Sequence, residues 1–240
     1  MILTKKNRID DFTKRGWWGE ETLYSLFQDA VTSSGDQEAL VDPENRVDIT
    51  GDDPKRLSFN EIDKTVERYA SIFFEQGLRK DDIALIQLPN VVELPMVYLA
   101  LSKLGIICSP IPMQYGAYEI NSIISETNPK AFISIQTFNQ NAHAEQFSLA
   151  FTNDELMFAL GKIDNFIDLH TYNPMSETYE FQQSYAQDNP ITANDIFTIC
   201  WTSETNGTQK GVPRSHNLWM PMAKAAGYVS ENQEGVSLLL

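Results

Sequence analysis

Asp82-Ile-Ala-Leu-Ile-Gln-Leu-Pro-Asn-Val-Val-Glu-Leu-Pro-Met-Val-Tyr-Leu-Ala-Leu-Ser-Lys-Leu-Gly-Ile-Ile-Cys-Ser109 is the stretch that decides the fold. Asp82–Leu88 is a short apolar run and reads as a buried strand. Asn90-Val-Val-Glu93 opens a helix reaching about Leu104, and Pro95 falls near its first turn, where a missing N–H costs little. Gly105 breaks the helix, and Ile106–Ser109 reads as the next strand. Strand, single helix and strand in this order form one βαβ unit, whose two strands must lie parallel.

The alternation continues downstream. Glu119–Thr127 is expected to be a helix, Ala131–Ile135 a strand, and roughly Ala142–Leu160 a helical stretch broken near Asn153. Phe166–Leu169 and Ile196–Cys200 read as further strands. The fold class that follows is α/β, a parallel sheet layered by helices on both faces. Upstream, Ser58 and Glu61 have capping-box spacing, with Leu57 and Ile62 placed for a hydrophobic staple. The helix they start has an inner face of Ile62, Val66, Tyr69, Ala70, Phe73 and Phe74, and Gly77 ends it. Glu20–Ser33 is an earlier amphipathic helix with Gly35 as its stop. Glu38–Asp42 and Val47–Thr50 read as short strands, and Tyr172–Asn194 as a polar surface connection. Residues 1–57 form a lead-in segment and residues 58–240 the βα-repeat region.

Composition sets outer limits. The 240 residues are 42% hydrophobic and 21% charged, as in ordinary globular proteins, and carry a formal net charge of −15. That acidity argues against a nucleic-acid or anionic-membrane surface, which needs a clustered basic face. The apolar region Val91–Pro112 is interrupted by Glu93, Pro95 and Lys103, so no membrane span is expected. Met1–Arg8 has a basic start without an apolar core and does not read as a secretory signal. Cys108 and Cys200 lie far apart in apolar runs and read as two buried free thiols. A cytoplasmic location is the expectation.

The chemistry concentrates in Trp201-Thr-Ser-Glu-Thr-Asn-Gly-Thr-Gln-Lys-Gly-Val-Pro-Arg-Ser-His-Asn217. Hydroxyls, two glycines and a lysine after a strand are what a polyphosphate needs: backbone N–H groups, side-chain donors and one cation. Lys210 precedes Gly211, so this is not a Gly-Lys P-loop, and no Gly-x-Gly-x-x-Gly occurs anywhere.

The loop resembles the signature of the adenylate-forming (AMP-binding) enzymes, the family of acyl-CoA synthetases, luciferases and peptide-synthetase adenylation domains. Thr202, Ser203, Thr205, Gly207, Lys210, Gly211 and Val212 match its Thr-Ser-Gly-Thr/Ser-Thr-Gly-x-Pro-Lys-Gly-Val pattern without insertion. Leu88–Gly105 and Asn128-Pro-Lys-Ala-Phe-Ile133 are similar to the same family, so the resemblance spans about residues 57–240. It implies the N-terminal part of that family's large domain. It also implies ATP-dependent activation of a carboxylate through an acyl-adenylate, of acyl-CoA ligase type, with a place in fatty-acid metabolism. ATP, Mg2+ and coenzyme A are the cofactors implied. Thr202, Ser203, Thr205, Asn206, Gly207, Lys210 and Gly211 are the implied nucleotide-binding residues.

Three positions depart from the pattern. Glu204 replaces a glycine, Asn206 a threonine or glutamate, and Gln209 the proline. A carboxylate about 5 Å from a phosphate charge costs roughly 3 kcal/mol at an effective dielectric near 20. The family's later elements are an aromatic-Gly-x-Thr-Glu segment, a ribose-binding Thr-Gly-Asp and a C-terminal domain with a catalytic lysine. None of them follows the loop here. Val236–Leu240 is an apolar run that stops abruptly, which suggests a truncated chain that is catalytically incompetent alone. A pseudoenzyme acting as an interaction module, or half of a split ligase completed by a second polypeptide or by self-association, is the alternative. His216 has no evident carboxylate partner, and Ser215 and Asn217 read as helix-capping residues around it. His143 and His170 are isolated, no metal-ligand spacing occurs, and Trp17, Trp18 and Trp201 read as packing residues.

Overall fold

A computed structural model describes residues 1–151, 155–202 and 209–229. In chain order the first elements are α1 (Lys6–Lys14), α2 (Leu23–Ser34), β1 (Glu38–Val41), α3 (Arg46–Thr50), β2 (Arg56–Ser58) and α4 (Phe59–Glu75). Next come β3 (Ile83–Ile86), α5 (Glu93–Leu104), β4 (Ile107–Pro110), α6 (Ala117–Thr127) and β5 (Ala131–Ile135). The small hairpin β6 (Thr137–Phe138) and β7 (Asn141–Ala142), a 3-10 turn over Ala144–Ala150, β8 (Leu156–Leu160) and β9 (Ile167–Asp168) follow. α7 (Thr178–Asp188), β10 (Ile196–Thr202), β11 (Lys210–Ser215) and α8 (His216–Val229) complete the described part.

The decisive stretch folds as β3–α5–β4. Gly105 closes α5 in a left-handed conformation (φ 69°), which an L side chain adopts only with strain. α4 starts on the expected capping box. The Ser58 N–H donates to Glu61 Oε2 at 2.8 Å, and the Glu61 N–H donates back to Ser58 Oγ at 3.3 Å. Its expected inner face is buried from Ile62 to Phe74, and Gly77 (φ 101°) terminates it.

The central sheet has the order β11-β10-β4-β3-β5-β8-β9. All neighbours pair in parallel except β10 with β11, which close an antiparallel hairpin at one edge. The parallel sheet of the sequence reading therefore carries one antiparallel edge strand. From β3 the chain crosses to β4 on one side and then to β5 on the other, so the topology reverses beside β3. Strand residues alternate between two cores. Ala84, Ile86, Cys108 and Ile133 pack beneath α4 and α5, where Phe158 meets Phe73 edge-on at 5.0 Å. Leu85 and Phe132 face the other way, onto Ile120, Ile123 and Phe147. Each fully buried side chain of this size contributes on the order of 2 kcal/mol.

Four local expectations are corrected. Residues 46–50 form a helical turn, not a strand, because Arg46 is drawn into a buried ion cluster and Gly51 (φ 86°) closes the turn behind it. The stretch 142–160 is not helical throughout: Leu156–Leu160 is a strand hydrogen-bonded to β5 in full register. A fully buried strand presents an unbroken apolar run, which periodicity cannot separate from a helix. The connection 172–194 contains α7, which buries Thr178 and Gln182 and sets Tyr185 against Phe74 at 5.4 Å. Both cysteines are free, but only Cys108 is buried and Cys200 is half-buried.

Candidate functional site

The hairpin β10–β11 positions the ends of the phosphate-loop candidate. Register pairs Thr202 with Lys210 and Trp201 with Gly211. Thr202 and Lys210 are exposed at the carboxyl edge of the sheet, and Thr202 Oγ1 donates to the Lys210 carbonyl at 3.4 Å. Ser203, Thr205, Asn206 and Gly207, with Glu204, lie outside the described residues. Gly211 has a role the sequence does not announce. A β carbon there would lie 2.9 Å from Ile199 Cγ2 and 3.2 Å from Trp201 Cη2, so the glycine makes room for the indole. Trp201 in turn donates from Nε1 to Ser109 Oγ at 2.9 Å, tying the hairpin to β4. Three residues earlier on β10, Trp219 Nε1 donates to Thr198 Oγ1 at 2.9 Å, tying α8 back to β10.

His216 and Asn217 tether the lead-in segment and do not cap the helix. His216 Nδ1 accepts from the Leu23 N–H at 3.2 Å, and its ring stacks on Phe197 at 4.9 Å. Burial pushes its pKa down to about 4, against the opposing pull of Asp195, so the ring is neutral near pH 7. Asn217 accepts from the Gly19 N–H at 3.0 Å and donates to the Gly19 carbonyl at 3.1 Å and to Asn194 Oδ1 at 3.0 Å. Among the described residues, Ser215 Oγ has no hydrogen-bond partner. Trp18 is buried and Trp17 exposed, each against Phe12.

A second cluster lies upstream. Arg46 is fully buried, with Nη1 donating to Asp42 Oδ2 at 2.5 Å and to Glu93 Oε2 at 2.9 Å, and Nη2 donating to Glu93 Oε1 at 2.9 Å. Lys55 Nζ reaches Glu93 Oε1 at 2.5 Å, while His170 Nε2 stands off at 3.8 Å, beyond hydrogen-bond length. Burial alone would raise the Glu93 carboxyl, but the His170 ring and the Arg46 and Lys55 donors hold it far below its ordinary value. Asp42 also takes the Val92 N–H at 2.9 Å, at the start of α5. The triplet Thr50-Gly51-Asp52 closes α3, and Asp52 reaches Arg46 at 3.4 Å, so it serves this cluster. The i, i+4 spacing of Asp42 and Arg46 was the available sequence signal for half of it.

Residues 27–238 match the family described as AMP-binding enzyme. The chain belongs to that family. Pseudomonine synthase PmsE of Pseudomonas entomophila is 25% identical over 229 residues, covering 93% of this chain and 35% of the relative. A medium-chain fatty-acid–CoA ligase of Escherichia coli is 21% identical over 212 residues, covering 86% and 35%. The chain thus spans about a third of the length of these curated relatives. Among solved structures, Mycobacterium smegmatis MbtA superposes with a TM-score of 0.75 at 18% identity, over 95% of this chain and 40% of MbtA. The long-chain fatty-acid–CoA ligase FadD1 of Archaeoglobus fulgidus gives 0.65 at 21% identity, over 83% and 37%. These superpositions support the α/β fold.

Within this AMP-binding part, the described residues include no group of three His, Cys, Asp or Glu able to hold a metal ion. The described residues therefore do not by themselves form a Mg2+ site, and no chemical step is assigned to the ion. No helix of the described residues is long and apolar enough to cross a membrane.

Proposed function

We propose that this chain supplies the phosphate-loop part of a site that activates a carboxylic acid with ATP, in the manner of an acyl-CoA ligase. The observation that carries the reading is the Thr202–Lys210 pair, exposed where β10 and β11 meet the carboxyl edge of the sheet, within a match to the AMP-binding family. In the reaction a carboxylate oxygen attacks the α-phosphorus of ATP, the bond to the bridging oxygen breaks, and pyrophosphate leaves. Lys210 is suited to meet the charge of the outer phosphates, and hydroxyls such as Thr202 to donate to phosphate oxygens. Such stabilisation is strongest when the donors are held in place beforehand, which is what the Trp201–Ser109 bond and the Gly211 packing do for the hairpin.

Coenzyme A as the acyl acceptor and a fatty or aryl acid as substrate belong to the same proposal. Calorimetric titration with ATP tests the first part: no measurable binding that depends on Lys210 would overturn the reading. Carboxylate-dependent exchange of pyrophosphate into ATP tests the second, the activation of the acid, and its absence in the enzyme would overturn that part.

A further inference from the structure

The hairpin β10–β11 is joined to the rest of the sheet by little main-chain bonding. Among the described residues, β10 meets β4 in register at Thr198 and Cys108 alone, whereas β3 and β4 pair continuously, from Ile83 with Ile107 to Ile86 with Pro110. The pose of the hairpin therefore depends on side chains. Near the tip, where Thr202 and Lys210 stand, Trp201 holds Ser109. At the base, where Ile196 is paired with Ser215, Asn217 makes the corresponding tie.

The Asn217 side chain is buried, and its amide exchanges two hydrogen bonds with Gly19, one with the N–H at 3.0 Å and one with the carbonyl at 3.1 Å. Residues paired in an antiparallel ladder exchange bonds in the same way. The remaining amide proton goes to Asn194 Oδ1 at 3.0 Å, and the main-chain N–H of Asn217 goes to the Ala193 carbonyl at 2.9 Å. Asp195 fixes that turn by accepting from the Thr192 N–H and hydroxyl, each at 2.9 Å. Beyond Gly19 the lead-in segment is anchored in turn. The Tyr24 hydroxyl donates to Glu67 of α4 at 2.8 Å, and Phe27 packs on Phe59 at 6.4 Å. The clasp thus joins the hairpin base to the helical layer by way of residues 19–27.

We infer that Asn217 is a positioning residue for the phosphate site, and that the lead-in segment is the support it positions the hairpin against. The inference rests on the proposed function, in which the place of Lys210 matters. β10 runs from Ile196 to Thr202, roughly 20 Å of strand. A tilt of about 3° at the base therefore moves the tip by about 1 Å, enough to turn a good hydrogen bond to a phosphate oxygen into a poor one. Asparagine suits the task, because aspartate offers no N–H and serine a single donor.

The test opens the clasp from either side, with Asn217→Ala or, should that variant not fold, Gly19→Pro, which deletes the N–H that Asn217 accepts. Hydrogen exchange read by mass spectrometry reports on the hairpin without any ligand. Amides of β10 and β11 should exchange about tenfold faster than in wild type, with those of β3 and β5 unchanged. Calorimetric titration should show ATP binding weakened about fivefold. In a Lys210→Ala background the same substitution should change ATP affinity no further, because the clasp acts through where Lys210 stands. Asp168→Ala, which removes hydrogen bonds at the opposite edge of the sheet, lowers stability and should leave hairpin exchange and ATP affinity as in wild type. Unchanged hairpin exchange overturns the clasp. Faster exchange with unchanged ATP affinity, or an equal loss of affinity in the Lys210→Ala background, overturns the positioning role. A wild type without Lys210-dependent ATP binding overturns the proposed function, and the exchange rates still decide whether Asn217 holds the hairpin.

Discussion

Gly211 and Trp201 face each other across the β10–β11 hairpin in tight contact, since a β carbon on Gly211 would stand 3.2 Å from the indole and 2.9 Å from Ile199 Cγ2. The glycine of the signature therefore has a packing role in addition to any contact with phosphate. Gly211→Ala is expected to lower stability by about 1–3 kcal/mol, the usual cost of overpacking. Urea unfolding followed by tryptophan fluorescence measures it. Because Trp201→Phe makes room, the double variant should lose less than the sum of the two single losses. Strict additivity would show that the two residues do not meet.

Lys210→Ala should weaken ATP binding roughly tenfold or more, the range for losing one hydrogen bond to a charged group. The difference between wild type and variant should shrink as salt is raised from low to physiological strength, because the lysine is exposed. Titration calorimetry at two ionic strengths gives both numbers.

Arg46 is the sole guanidinium in its buried cluster among the described residues, and it faces Asp42 and Glu93 at once. Arg46→Ala leaves two carboxylates buried with Lys55 as the remaining close cation, and should cost about 3–5 kcal/mol. The cluster also gives a pH signature. The Glu93 carboxyl is depressed in the folded state, so its contribution is fully present above the unfolded value near 4.5 and is lost as pH falls toward the folded value. Glu93→Gln should flatten the acid limb of a plot of unfolding free energy against pH. An unchanged acid limb would contradict the assignment.

His216 makes a separate contribution. Its folded pKa, about 4, lies below the ordinary 6.5, so the unfolded chain takes up the proton first. Stability supplied by the neutral ring is complete above pH 6.5 and is lost as pH falls from there to about 4, by roughly 3 kcal/mol. His216→Gln, which keeps an acceptor for the Leu23 N–H, should weaken the dependence between pH 6.5 and 4, which the buried His143 shares, while leaving the lower Glu93 limb in place.

Helices α4 and α5 were legible because local physics fixes them: the Ser58–Glu61 box, the apolar face from Ile62 to Phe74, and the glycines at 77 and 105 act over one or two turns. The strand Leu156–Leu160 and helix α3 were misread because their conformations depend on partners far away, β5 in one case and Glu93 in the other. The loop was readable as chemistry, yet Thr202 and Lys210 are adjacent only through the hairpin register. The tether from His216 and Asn217 to Leu23 and Gly19 spans nearly 200 residues (|i−j| of 193 and 198), and nothing in either segment announces it.

By itself the sequence determined the βα alternation, the hydroxyl- and glycine-rich loop and the family resemblance, because each is written in residues close together along the chain. Only the tertiary structure decided which strand reverses the topology, why Gly211 is a glycine, and where the Arg46 charges are neutralised. Those properties arise from groups brought together across the sheet, where excluded volume and the cost of burying charge act on residues that are neighbours in space alone.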